Sequence, residues 1–237
     1  MSLLKHGMAG LVGGGSAFPT YDSPVGGVTP KLILDFHAGV YAVDTGSGLE
    51  ATTTAIITNF TTIVTGGGDG DGISRMRTVG GDTPQIPISS FDYVTASGSF
   101  LIVGRYDAVA AFDRSFMFNY DVNNRIGCTL SSGSEWRPFL EANGVETNLT
   151  AIATWTTNTD VACAAAYTTD DAAASTDGET VVTDSTVDVP GIAASSFAPT
   201  TLLLGHDTDG REPGGGIQRF IYWGSRLSNA DLEALSS

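Results

Sequence analysis

Carboxylates are the most plentiful reactive groups in this sequence, 26 Asp and Glu against 11 Lys and Arg. The first chemistry to look for is therefore a carboxylate pair acting as acid and base or nucleophile. Such a pair needs its carboxyls roughly 5–10 Å apart. Acids at alternate positions of one strand would share a face and supply that spacing. No such run occurs. Glu135 and Glu141 flank Trp136-Arg137-Pro138, which reads as loop. Asp170-Asp171 and the Asp207/Asp209 pair fall in turn-like sequence. There is no Gly-x-Ser-x-Gly elbow. With 3 histidines in the chain, a serine triad would have to recruit His37 or His206. The expectation is a protein without catalytic residues. Asp69-Gly-Asp71 is half of a calcium-loop pattern, but the closing Glu is missing, so it reads as a solvated turn. The histidines lack the spacing of a zinc site. Sugar binding commonly combines an aromatic platform with planar polar groups. Trp136 with Arg137 is the best such combination and gives the ligand-binding candidates.

The elements that would carry these residues are β-strands. Short β-branched or aromatic runs occur at 31–36, 40–43, 100–105, 115–120, 126–130, 151–156, 161–167, 180–183, 201–205 and 217–223, with Thr- and Ile-rich segments at 51–64. Gly, Asp, Asn and Ser clusters divide them, which indicates an antiparallel sandwich. Asp177-Gly178 between 172–176 and 179–183 suits a two-residue hairpin turn. Ser228-Asn-Ala-Asp231 is a capping box with Asp in place of Glu, and Leu227 and Leu232 stand at the two staple positions. One short helix is expected over about 228–235. Tyr222 and Trp223, and Tyr93, Phe100, Phe116 and Phe118, are expected in the core.

Residues 1–30 are different. Gly and Pro occur throughout without a period, yet Leu3, Leu4, Leu11 and Phe18 are spaced along them. This segment is expected to be an extended arm, held by its own domain or by neighbouring subunits and used for assembly. Residues 31–237 would form the sandwich.

A formal charge of −15 makes the surface repel phosphate backbones and anionic membranes. Nucleic-acid binding is therefore not expected. The longest apolar run, Val161 to Tyr167, is far below the ~18 residues of a membrane span, so membrane insertion is not expected either. Cys128 and Cys163 are too few for a disulfide scaffold and read as buried thiols. No signal-peptide pattern opens the chain, so synthesis in a cytoplasm is expected and the two Asn-x-Thr sequences read as chance.

Three pieces then occur in a known order: the hairpin at Ser175–Val182 with Asp177-Gly178-Glu179, the strand Thr201-Leu-Leu-Leu-Gly205, and Gly216-Ile217 through Trp223 followed by Leu227-Ser228-Asn-Ala-Asp231. Together they resemble the corresponding pieces of concanavalin A-like, laminin-G-like jelly rolls, a resemblance covering roughly residues 90–237 directly and 31–89 by inference. The resemblance implies an all-β, two-sheet antiparallel jelly-roll sandwich ending in a short helix. Such domains often hold Ca²⁺ through loop carboxylates. That makes Asp207 and Asp209 the metal candidates and adds His206, beside them, to the ligand candidates. The family often has an acidic residue after the Gly-x-Ile step, where Gln218 and Arg219 stand here. The opening Pro30-Lys-Leu-Ile-Leu-Asp35-Phe36 after a Gly-rich leader is similar to openings of bacteriophage virion proteins. That resemblance implies a non-enzymatic virion protein, self-associating as a homo-oligomer. It would be bound to other tail or capsid proteins through its arm. Its sandwich would recognise a host-surface glycan from the tail. The alternatives are capsid decoration, a free lectin-like protein and, last, a glycosidase.

Overall fold

A computed structural model describes residues 25–59, 63–64, 72–77, 84–94, 96–108, 113–121, 124–131, 135–142, 145–148, 158–185, 199–205 and 214–237. Among these, the strands are β1 (Leu32–Asp35), β2 (Val40–Asp44), β3 (Leu49–Ala51), β4 (Ile63–Val64), β5 (Arg75–Met76), β6 (Gln85–Pro87), β7 (Gly98–Ala108) and β8 (Asp113–Asp121). They continue with β9 (Asn124–Ser131), β10 (Glu135–Ala142), β11 (Val145–Asn148), β12 (Asp160–Thr168), β13 (Asp171–Thr176), β14 (Val182–Asp184), β15 (Thr201–Leu204) and β16 (Gly214–Trp223). One helix, α1 (Asn229–Ser236), follows.

Two antiparallel sheets result. The larger runs β14-β13-β12-β7-β16-β1-β2-β3, with β5 added beside β16 and β4 beside β5. The smaller runs β11-β10-β9-β8-β15-β6. Alternation along each strand divides its residues between two faces. Leu32, Leu34, Phe100, Ile102, Cys163, Phe220 and Tyr222 of the larger sheet share one buried core with Ile126, Cys128, Leu202 and Leu204 of the smaller. This is the two-sheet, concanavalin A-like sandwich that the sequence led us to expect.

The larger sheet is buried on its outer face as well. Ile33, Leu101, Val103, Ile221 and Trp223 form a second core there with Leu227, Leu232 and Leu235. Small outer-face residues make the close approach of α1 feasible: Ala162, Ala164 and Ala166 on β12 and Ala173 on β13. The helix starts where expected. Ser228 Oγ accepts the Asp231 amide at 3.2 Å, and the Asp231 carboxylate accepts the Ser228 amide at 3.2 Å. At its far end Ser236 Oγ meets Ser175 Oγ at 2.8 Å and accepts the Gly178 amide at 3.1 Å, while Glu233 accepts the Val181 amide at 3.0 Å. The Asp177-Gly178 turn has positive φ at both residues, 48° and 73°, as the hairpin requires. Ser228→Ala should therefore cost about 0.5–2 kcal/mol as a lost cap. Leu232→Ala, at a fully buried site, should cost about 2–5 kcal/mol. Denaturant midpoints read both. Unchanged midpoints would mean that the helix does not hold the sheet.

Of the arm, residues 1–24 lie outside the described residues, Leu3, Leu4, Leu11 and Phe18 among them. Residues 25–28 form a turn closed by the Val28 amide donating to the Val25 carbonyl at 2.9 Å. Val25 and Val28 pack on the outer core. Gly26, with φ 57°, lies against the Asp231 carboxylate so closely that a Cβ would stand 2.7 Å from its Oδ2.

Cys128 and Cys163 are free and buried, as expected. The run at 151–156 lies outside the described residues up to residue 157. The expected loop around Trp136 is instead β10, eight residues long with Pro138 in its interior. Proline and a Glu-Trp-Arg cluster suggest a loop. In the sheet, β10 is paired to β9 over Glu135–Glu141 and to β11 over Phe139–Ala142, and that double pairing outweighs the one donor that Pro138 lacks.

Candidate ligand-binding face

The outer faces of the two sheets differ. On the larger, helix α1 closes one half and paired charges fill the other. Asp35 and Arg219 stand directly opposite each other on β1 and β16. Arg219 donates to Asp35 Oδ2 through Nε at 3.1 Å, and its second nitrogen is also 3.1 Å from that oxygen. Asp35 Oδ1 accepts the amides of His37 at 3.0 Å and Ala38 at 2.7 Å. The carboxylate is therefore satisfied on both oxygens while fully buried. Burial pulls Arg219 below the usual guanidinium value, and the Asp35 charge opposes that pull. Nearby, Arg75 donates to Asp160 at 2.6 Å. Among the described residues, this face is closed to a ligand by its own pairs and its helix.

The outer face of the smaller sheet is built otherwise. Its registers align across strands in transverse rows. In one row Glu146 faces Glu141, Glu141 faces Arg125, Arg125 faces Asn119 and Asn119 faces Thr201. In the next row Asn148, Phe139, Gly127, Met117, Leu203 and Gln85 follow one another. Phe139 and Leu203 are buried on this face, away from the sandwich core. Gly127 lies between them and presents no side chain, which lets another backbone or a ligand approach the sheet. Arg125 and Thr201 are half-buried. A third row holds Arg137, Thr129 and Arg114. Of the polar residues in these rows, Arg125 and Thr201 supply a guanidinium and a hydroxyl, groups of the kind that orient a polyhydroxylated ligand.

The structure separates the two adjacent ligand candidates. Arg137 stands opposite Thr129, on the outer-face register of Phe139. Trp136 stands opposite Leu130, on the alternate register that Pro138 shares with buried Cys128. The two therefore do not act on one face. His206, Asp207 and Asp209 lie outside the described residues, as do Asp69 and Asp71. Among the described residues no group of His, Cys, Asp or Glu is arranged to hold a metal ion. Tyr222, Trp223 and Phe100 are core residues, as expected. Tyr93 packs at the core edge with its ring stacked on Tyr222 at 5.4 Å. Phe116 and Phe118 belong to β8. Arg125, Asn119 and Thr201 were not singled out by sequence. Asn119 and Arg125 pair across the β8–β9 hairpin, but Thr201 joins Asn119 from 82 positions later in the chain (201 − 119), which no local pattern shows.

No known family model matches the chain, and no curated protein matches it in sequence. Solved structures do match in shape. Domain 4 of AbnA, a GH43 extracellular arabinanase from Geobacillus stearothermophilus, solved with arabinotriose, superposes with a TM-score of 0.63 at 11% identity over 89% of this chain and 99% of that one. The Ruminococcus gnavus IT-sialidase CBM40 bound to α2,3 sialyllactose gives 0.50 at 14% identity, over 61% and 84%. A Trypanosoma rangeli sialidase mutant with trans-sialidase activity gives 0.57 at 12% identity, over 90% of this chain and 33% of that one. At these identities the likeness is one of fold. The chain has the β-sandwich of carbohydrate-binding and glycosidase-associated domains.

Proposed function

We propose that this chain is a non-enzymatic bacteriophage virion protein. Its residues 1–30 anchor it to the tail, and its sandwich binds a host-surface glycan. The observation that carries the binding reading is the polar row Glu141, Arg125, Asn119 and Thr201, aligned by register across four strands of the smaller sheet on the face turned away from the sandwich core. The carbohydrate-bound neighbours of the same fold support it. The Gly-rich leader and its spaced apolar residues support the anchor.

Spacing speaks against Glu135 and Glu141 as a catalytic pair. Glu135 and Glu141 share a register face but stand six residues apart on β10. At about 3.3 Å per residue that is roughly 20 Å, twice the separation that glycoside hydrolysis uses. Glu141 and Glu146 are direct neighbours across β10 and β11. Glu141→Gln is therefore the decisive control. The expected result is no release of reducing ends from any polysaccharide. Hydrolysis that disappears in this variant would overturn the non-enzymatic reading.

The binding reading is tested by glycan-array screening of the purified protein, followed by titration of any hit. Asn119→Ala and Arg125→Ala should each weaken the hit about tenfold or more, as expected for lost hydrogen bonds of about 1.5–3 kcal/mol to a charged or planar group. Thermal unfolding of each variant separates this loss from misfolding. An array without hits, or hits indifferent to both substitutions, would overturn it. Immunodetection on purified particles tests the virion assignment.

A further inference from the structure

We infer that the outer edge of β14 receives an extended segment from a second copy of this chain, and that the segment is the apolar-cationic run Leu3-Leu4-Lys5 of that copy's arm. This rests on the assembly role read for residues 1–30 above and gives the arm a receiving surface.

One apolar row points to this edge. On the core side of the larger sheet Leu32, Tyr222, Phe100, Ala165, Ala174 and Val182 stand opposite one another in turn, across six strands. The first five are buried, none more than 2% exposed, whereas Val182 is 40% exposed. Among the described residues it is the large apolar side chain left open to water. β14 ends the strand order of the sheet, so the row runs out of strands before it runs out of apolar side chains. An apolar residue on one further strand would cover Val182 and lengthen the core by one place.

The edge is held ready for such a strand. β14 pairs with β13 through Val182, Thr183 and Asp184 without a register shift. The Val181 amide donates to the Glu233 carboxylate at 3.0 Å, which ties the entry of β14 to α1. Proline, lysine and bulges are the usual devices that keep a foreign strand off an edge. Residues 179–184 contain neither proline nor lysine, and the β14 pairing has no bulge.

Charge selects the occupant. Residues 158–185 and 224–237, which hold β12, β13, β14 and α1, carry eight Asp and Glu and one arginine. That arginine, Arg226, is paired with Asp171 at 3.0 Å. Asp177 and Glu179 are exposed at the approach to β14. Bringing two such edges together sets acid against acid, which disfavours pairing of β14 with its own copy. A segment of apolar residues with a cation is complementary. Residues 1–21 are the longest stretch of the chain without Asp or Glu. Leu3 and Lys5 lie two apart in it, the spacing that puts both on one side of an extended segment. Leu3 then covers Val182, and Lys5 meets the acidic surround.

The position of the arm's base favours a second copy. Residues 25–28 pack on the outer core with Gly26 against Asp231, within one turn of α1 from Glu233. The same chain's residues next to that base are 19–24, where Pro19 and Pro24 lack ladder donors and Asp22 adds to the repulsion. Leu3 precedes Val25 by 22 positions, a reach of up to about 70 Å, enough to leave its own domain for the next.

The test uses the full chain. Sedimentation velocity should show association that weakens as salt is raised from about 0.05 to about 0.5 M. Leu3→Asp, Lys5→Glu and Val182→Asp should each raise the dissociation constant about tenfold or more. Leu3 and Lys5 precede the sandwich in sequence, so their variants decide even if Val182→Asp fails to fold. Mixing a Leu3→Cys copy with a Val182→Cys copy under mild oxidation should crosslink unlike chains. A copy with Ala234→Cys, exposed on α1, should not crosslink to Leu3→Cys. A chain that stays monomeric, association indifferent to Leu3→Asp and Lys5→Glu, or a crosslink formed only inside chains carrying both cysteines overturns the inference. Monomeric protein found on particles overturns this contact and leaves the anchor standing. Association as expected in a protein absent from particles leaves this contact standing and overturns the virion assignment.

Discussion

Raising the pH above about 10 should unfold this protein steeply, with stability falling by about 3 kcal/mol per pH unit. The cause is a tyrosine cluster at the edge of the sandwich core. Tyr222 is fully buried and Tyr167 nearly so. The Tyr222 hydroxyl donates to the Val94 carbonyl at 3.0 Å and accepts the Val94 amide at 3.2 Å. The Tyr167 hydroxyl lies 3.3 Å from that of Tyr93. Burial pushes Tyr222 and Tyr167 well above the ordinary phenol value, and their mutual proximity adds to it. The sign follows directly. Below about pH 10 these phenols are protonated in both folded and unfolded chains, so stability does not depend on them. Above it the unfolded chain releases protons that the folded chain retains, and each pH unit costs about 1.4 kcal/mol for each of the two buried groups. Lys31 adds to the alkaline loss. Its bonds to Asp92 and Asp44 raise it, and that stabilisation disappears once it deprotonates. Denaturant melts from pH 8 to 11 read the slope. A Tyr222→Phe variant should show a shallower one. A slope independent of pH would show that these hydroxyls reach water.

Asp35→Ala should lower stability by about 3–5 kcal/mol, the cost of leaving a buried charge without its partner. Asp35 is fully buried and holds Arg219 across the β1–β16 ladder while its other oxygen closes the turn at 36–39. The double variant Asp35→Ala with Arg219→Met should recover much of the loss, because an apolar pair carries no desolvation penalty. Equilibrium unfolding of both variants decides. A single variant within 1 kcal/mol of wild type would show that Arg219 relaxes to solvent.

The same pair shows how far sequence reasoning reached. The apolar runs of β1, β12 and β16 were legible because β-branched, aromatic and alanine residues follow one another between turn signals. The terminal capping box was legible because its parts lie within four residues. Arg219 stood out only as a departure from the acidic residue common in similar jelly rolls. Its partner lies 184 positions earlier, and nothing local links the two. An aspartate inside Leu-Ile-Leu-Asp-Phe was the available signal, since a buried carboxylate requires a cation or several donors. The candidate ligand-binding face was harder still. Strand β10 was hidden by Pro138, and with it the register that sets Arg137 and Trp136 on different faces. Rows such as Glu141, Arg125, Asn119 and Thr201 exist only once four strands have been paired.

The place of β16 has a kinetic consequence. The last strand of the chain sits near the middle of the larger sheet, with β7 on one side and β1 on the other. A nascent chain leaving the ribosome therefore displays β1, β2, β7 and β12 long before the strand that joins them exists. Their apolar faces must wait, and the closing pairs, Leu32 with Tyr222 and Phe100 with Tyr222, join positions 190 and 122 residues apart (222 − 32 and 222 − 100). Contacts of such sequence separation close slowly and leave unpaired strand edges exposed meanwhile. The decisive pairing thus waits until β16 has been made, and a polypeptide released before that would be a substrate for chaperones or proteases.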